Sequence, residues 1–166
     1  SPKFFTIDRE EFINGNCTEV LRKAKEEIGF PLVVKPANQG SSIGISILNN
    51  DENYALMGAV GKAFFTEWID AGQWKKLSDE EKFSSLREIA DIREGIGMPL
   101  VVWTSTYPDK KTIYHPTDLK NYLDSLFEKE KEGAVLESID GENKVLIEGF
   151  IEGKEFSCIV AQDEQG

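Results

Sequence analysis

The sequence predicts an α+β fold, an antiparallel sheet backed by helices, on two observations. Short apolar runs recur at strand period, in Leu32-Val33-Val34, in Ile43, Ile45 and Ile47, and in Val145 and Ile147. Longer segments between them carry apolar residues at helical spacing, and such helices bury a core by lying on one face of a sheet.

In chain order, residues 2–7 read as an opening strand and Asn14-Gly15 as a polar turn. Asn16, with Glu19 three residues on, has the capping pattern of a helix whose face is Val20, Leu21, Ala24 and Ile28 and which Gly29 closes. Gly29 and Pro31 open the strand through Val34, and a second strand follows through Ile47. Asn49-Asn50-Asp51 starts a helix predicted over 51–68, with Tyr54, Met57, Val60, Phe64, Phe65 and Trp68 as its stripe. A stripe of this kind reads as core or interface. The helices at 18–28 and 51–68 are expected on one face of the sheet, with Lys35 and the loop after it on the other, open side.

Ser78-Asp79-Glu80-Glu81 is a capping box, and Phe83, Leu86, Ile89 and Ala90 give the inner face of a third helix running to Gly95. Residues 100–103 read as a strand and Pro108-Asp109 as a turn. Thr117 opens a fourth helix bearing Tyr122, Leu123, Leu126 and Phe127, and the charged run 128–132 is its expected solvated end. Two hairpin-like units finish the chain. Residues 134–137 turn at Asp140-Gly141 into 144–151, which turns at Gly153 into 156–161.

The chain has 166 residues, 40% of them hydrophobic and ten of them Phe, enough for a sizeable core. A net charge of −11 argues against a nucleic-acid backbone or an anionic membrane as partner. Cys17 and Cys158 lack metal-ligand spacing and His115 has no partner histidine, so a zinc site is not expected. No apolar run nears the roughly 18 residues of a membrane span and no signal-peptide pattern opens the chain, so the expected setting is cytoplasmic. A start at Ser1 reads as a piece of something longer.

Two stretches carry chemistry. Lys35 ends an apolar strand, and Gly40, Ser41 and Ser42 follow in a loop small enough for backbone N–H groups and hydroxyls to close on an anion. Lys35 adds a mobile positive charge suited to phosphate. An ordinary turn between strands fits the same residues. Neither a Gly-x-x-x-x-Gly-Lys-Ser/Thr nor a Gly-x-Gly-x-x-Gly motif is present, which excludes the common phosphate loops. Farther on, Glu148 and Glu155 flank Phe150 and Ile151. Two carboxylates at a strand end can accept from an adenine amino group and from ribose hydroxyls, while backbone groups between them read the adenine edge. By themselves, two solvent-facing glutamates of a sheet are the commoner reading of this pattern.

Lys35-Pro-Ala-Asn-Gln-Gly-Ser-Ser-Ile-Gly44, followed by Val145-Leu-Ile-Glu-Gly-Phe-Ile-Glu-Gly-Lys-Glu-Phe156, closely resembles the ATP-grasp ligases, and within them the D-alanine–D-alanine ligase family. Pro2-Lys-Phe-Phe and Gly29-Phe-Pro-Leu-Val-Val look like that family's central domain. The resemblance covers about 1–68 and 143–162. It implies that the whole of 1–166 is an ATP-binding subdomain of a longer bacterial ligase, with an inserted α/β segment at about 69–142. It further implies that Lys35 contacts the nucleotide phosphates and that Gly40, Ser41 and Ser42 fold over them. Glu148 would accept from the adenine amino group, Ile151, next to Phe150, would read the adenine edge, and Glu155 would hold the ribose.

The implied reaction joins two D-alanines through an acylphosphate for peptidoglycan synthesis, with ATP and Mg²⁺. The metal ligands, the catalytic arginine and the amino-acid site are expected outside these residues, so the chain by itself should be inactive. A homodimer is allowed for the longer protein. Gly149 stands where the family often has a longer side chain. Another ATP-grasp carboxylate–amine or carboxylate–thiol ligase, or a non-catalytic nucleotide-binding or interaction module, remains open.

Overall fold

The computed structural model describes residues 2–15, 17–40 and 42–153. Among them the chain is α+β, with eight strands in two four-stranded antiparallel sheets, each backed by helices over its own core.

The first sheet holds β1 (Phe4–Asp8), β2 (Leu32–Pro36), β3 (Ser46–Leu48) and β8 (Lys144–Gly149) in the order β1-β8-β2-β3. β8 lies centrally, with Phe4 opposite Glu148 on one side and Val33 opposite Glu148 on the other. Strand alternation sends Ile7, Leu32, Val34, Val145 and Ile147 to one face, where all are buried. That face is covered by α2 (Cys17–Lys23), which runs into a π-helical turn at Ala24–Ile28, and by α3 (Asn53–Ala63). The opposite face carries Lys35 and Glu148 among Val33, Leu146, Ile47 and Phe4, the last 62% exposed. The helices therefore take one face and leave the lysine's face open, as expected.

Three local expectations for this half need correction. The helix predicted over 51–68 ends at Ala63, because Phe65 adopts φ 54° and a left-handed residue cannot continue a right-handed helix. Its inward side is Leu56, Ala59, Val60 and Ala63, which share a helical period and whose small alanines seat closely on the sheet; Tyr54 is 91% exposed. Between β1 and the Asn14-Gly15 turn, a short helix α1 (Arg9–Ile13) is opened by an Asp8/Glu11 capping box. The second strand is shorter than predicted, since Ile43 lies in a turn and pairing begins at Ser46.

The second sheet contains β4 (Thr66–Asp70), β5 (Leu100–Trp103), β6 (Lys111–Ile113) and β7 (Gly133–Ser138) in the order β4-β7-β5-β6. Helices α4 (Ala71–Lys76), α5 (Asp79–Ala90) and α6 (Pro116–Leu126) lay Trp74, Leu86, Ile89, Leu119 and Leu123 on it, against Leu100, Val102 and Leu136. The Ser78/Glu81 capping box opens α5, but the helix stops at Ala90, short of Gly95. Asp124 binds the three helices together, accepting from Trp74 Nε1, Lys82 Nζ and Lys120 Nζ, each at 2.8 Å. This sheet takes up most of the segment read as an insertion and begins slightly before it, at Thr66.

The hairpin expected across Asp140-Gly141 does not form. β7 pairs with β4 and β5, whereas β8 pairs with β1 and β2, so that turn is the crossing between the sheets. Glu130, placed in the solvated run, is 6% exposed and accepts from the backbone N–H groups of Lys131 and Glu132. The expected strand at 156–161 lies outside the described residues.

Arg9 closes the seam between the sheets. Its Nε donates to the Glu142 carbonyl at 2.8 Å, Nη1 to Thr66 Oγ1 at 3.0 Å and Nη2 to the Phe64 carbonyl. Nη1 also lies 3.6 Å from the buried Glu137 carboxylate. Glycine is needed at 141, where an added Cβ would stand 2.6 Å from Arg9 Nη2.

Candidate functional site

β2 and β8 are neighbours in the first sheet, and this pairing brings two of the predicted residues together. Lys35 is opposite Leu146 and Glu148 is opposite Val33, so both side chains rise from one face on adjacent strands. Lys35 Nζ donates to Glu148 Oε1 at 2.5 Å, and both side chains are partly accessible. A lysine and a glutamate separated by 113 residues in sequence thus form an ion pair on the uncovered sheet face, among apolar neighbours and apart from the Lys144–Asp8 pair at the far end of β8. Val33, Leu146, Ile47 and Phe4 give that face a flat apolar surface on which a purine ring can lie, with one cation and one carboxylate for its polar groups.

The loop after β2 is built at both ends. At its start, the Ala37 N–H donates to the Lys144 carbonyl at 3.0 Å. Asn38 then meets Glu142, whose Oε1 accepts from the Asn38 backbone N–H at 3.2 Å and whose Oε2 accepts from Asn38 Nδ2 at 3.1 Å. At its end, Ser42 has φ 60° and Gly44 φ 71°. Gly44 is required, since a Cβ there would come 2.9 Å from Pro36 and 3.3 Å from Phe65. Ile43 packs against the second core. An apolar side chain therefore anchors the end of the loop.

Gly40 sits exposed in the open middle, its carbonyl accepting from the Ile43 N–H at 3.4 Å. Ser41 and Glu155 lie outside the described residues. Past the end of β8, the Phe150 N–H donates to the Pro31 carbonyl at 3.0 Å, and Ile151 is 68% exposed. Gly149 donates its N–H to the Lys3 carbonyl at 3.0 Å.

Sequence reasoning missed Glu142, Asn38 and Arg9. Glu142 is 5% exposed yet sits among charged and polar neighbours two residues before a strand, so no pattern marks it as buried. Burial lowers the pKa of Arg9, while the carboxylates of Glu137 and Glu142 act in the opposite sense. Among the described residues no group of three His, Cys, Asp or Glu side chains is placed to hold a metal ion.

The family model described as "D-ala D-ala ligase C-terminus" matches residues 1–69. D-alanine–D-alanine ligase A of Escherichia coli (strain K12) is 46% identical over 61 residues, which is 37% of this chain and 15% of that protein. The D-alanine–D-alanine ligase of Staphylococcus carnosus (strain TM300) is 45% identical over 47 residues, 28% of this chain and 13% of that protein. That of Enterococcus faecalis (strain ATCC 700802 / V583) is 46% identical over 50 residues, 30% of this chain and 14% of that protein. The chain therefore spans about 15% of the length of the curated relatives it matches. No solved structure matches it significantly. The family match stops within β4, the first strand of the second sheet, and leaves Glu148 beyond it. Residues 1–69, which include Lys35 and the loop after it, are thus similar to the C-terminal domain of D-alanine–D-alanine ligases.

Proposed function

We propose that this chain is the ATP-binding portion of a bacterial, cytoplasmic D-alanine–D-alanine ligase that supplies the dipeptide for peptidoglycan. The observation that carries the reading is the meeting of Lys35 and Glu148 on the open face of the first sheet. Lys35 exchanges its carboxylate partner for a nucleotide phosphate, and the freed Glu148 accepts from the adenine amino group. Gly40, Ser41 and Ser42 close over the phosphates, Phe150 and Ile151 border the adenine edge, and Glu155 holds the ribose.

In this reading the γ-phosphoryl group of ATP passes to the carboxylate of one D-alanine and ADP leaves. The amine of a second D-alanine then attacks the acylphosphate, the C–N bond forms, and inorganic phosphate departs. The contribution of this chain is positioning and charge neutralisation. The described residues do not form a site that fits the Mg²⁺ that the family implies. D-alanine and a second subunit in a homodimer are partners of the longer protein in the same reading.

The test is an assay of the longer protein containing this chain with ATP and D-alanine. D-alanine-dependent phosphate release with formation of the dipeptide, reduced at least tenfold by Lys35→Ala, is the expected result. Phosphate release that depends on a different amine or thiol acceptor would favour another ATP-grasp ligase. ATP binding with no acceptor-dependent phosphate release would favour a nucleotide-binding module.

A further inference from the structure

The second sheet is where the chain departs from its family match, and it touches the grip loop at three points. Glu142, on the crossing between the sheets, holds both the backbone N–H and the side-chain amide of Asn38. Ile43 is seated on the second core, and Gly44 lies against Phe65, a member of that core. Glu142 is itself held: its carbonyl accepts from Arg9 Nε at 2.8 Å, and Arg9 reaches Thr66 on β4 and Glu137 on β7. A buried carboxylate whose two oxygens are committed to one asparagine allows that residue a narrow range of positions.

We propose that Glu142 is a positioning residue for the loop 38–44, and that through the Glu142–Arg9 link the inserted sheet sets how well that loop grips an anion. The proposal rests on the reading of the loop as a phosphate grip. The insertion is then a splint, built beside the loop and fastened to it at both ends. Of these fastenings only the Gly44–Phe65 contact lies within residues 1–69; Glu142, Glu137 and most of the second core come from outside that segment. Removing the Glu142 carboxylate leaves the Asn38 N–H without its acceptor while the pairings of β2 with β3 and β8 remain intact.

The experiment is amide hydrogen exchange on the chain and on its Glu142→Ala and Glu142→Gln variants, with ATP titrated at millimolar concentrations. In Glu142→Ala, the described amides of 38–44 should exchange at least tenfold faster while those of β2 and β8 keep their rates, and the ATP dissociation constant should rise at least fivefold. Glu142→Gln, which retains one acceptor oxygen, should recover part of both changes. Loop exchange that is unchanged, or that rises in parallel with β2 and β8, overturns the positioning role. So does an ATP affinity that is the same in wild type and Glu142→Ala. If the wild-type chain and the longer protein containing it both fail to bind ATP, the nucleotide reading falls and takes the proposed grip with it, whatever the exchange rates show.

Discussion

Lys35 and Glu148 form their 2.5 Å contact across adjacent strands on the one face of the first sheet that no helix covers. Because both side chains remain partly accessible, the pair contributes little to folding, on the order of 0–1 kcal/mol. Lys35→Ala and Glu148→Ala should therefore each shift unfolding free energy by less than about 1 kcal/mol in urea titration. A loss several times larger would make the pair a structural element.

Arg9 is a different case, since its guanidinium satisfies the carbonyls of Phe64 and Glu142, reaches Thr66 and faces the buried Glu137. Arg9→Ala leaves these groups short of a donor and should cost about 2–4 kcal/mol. Arg9→Lys has no planar fork and should recover only a minor part of it. Equal stability of Arg9→Ala and wild type in denaturant would remove Arg9 as the link between the sheets.

Asp124 predicts a pH dependence. Burial alone would raise its pKa, but bonds from Lys120, Lys82 and Trp74 outweigh that and bring it down to about 2. The folded form thus holds the charged carboxylate more tightly than the unfolded chain does. The resulting stability is complete above the unfolded carboxylate pKa, about 4, and is lost as pH falls toward about 2. Asp124→Asn should be less stable than wild type at pH 7, and the difference should narrow toward pH 2. A difference that stays constant over that range would contradict the assignment.

Glu67 behaves in the opposite sense. Partial desolvation, reinforced by repulsion from Glu88, raises its pKa, but Glu67 stays exposed on β4, so its charged form burdens the fold only slightly at neutral pH. Glu67→Gln should raise the urea midpoint at pH 7, and the gain should shrink as acid protonates the wild-type carboxyl. A lower midpoint at pH 7 would mean that the carboxylate has a favourable partner.

Much of this fold was readable because its signals are local. The Ser78/Glu81 box, the Leu100–Trp103 run and the apolar alternation of β2 and β8 each lie within a few residues, and each marks an element that forms, though α5 and β8 end earlier than read. The failures came where distant contacts decide. β7 and β8 look like a hairpin because Asp140-Gly141 is good turn chemistry, yet each strand finds its partners in a different sheet. Phe64, Phe65 and Trp68 continue the apolar period of α3, but the left-handed Phe65 ends the helix and turns the chain into β4.

The site divides in the same way. Lys35 and Glu148 stood out as charged residues within apolar strands, whereas Glu142 and Arg9 act on partners that lie 104 and 133 residues away and carry no local mark.

The most direct measurement is NMR chemical-shift mapping of this chain with ATP, repeated on Lys35→Ala and Glu148→Ala. The expected result is a saturable set of shifts on Lys35, Gly40, Ser42, Glu148 and Ile151, weakened at least tenfold by either substitution. In the proposed reading part of the site lies outside this chain, so the dissociation constant should be on the order of millimolar, about 4 kcal/mol of binding. Saturable shifts elsewhere on the molecule, or shifts at these residues that neither substitution weakens, would contradict a nucleotide site built on the Lys35–Glu148 face.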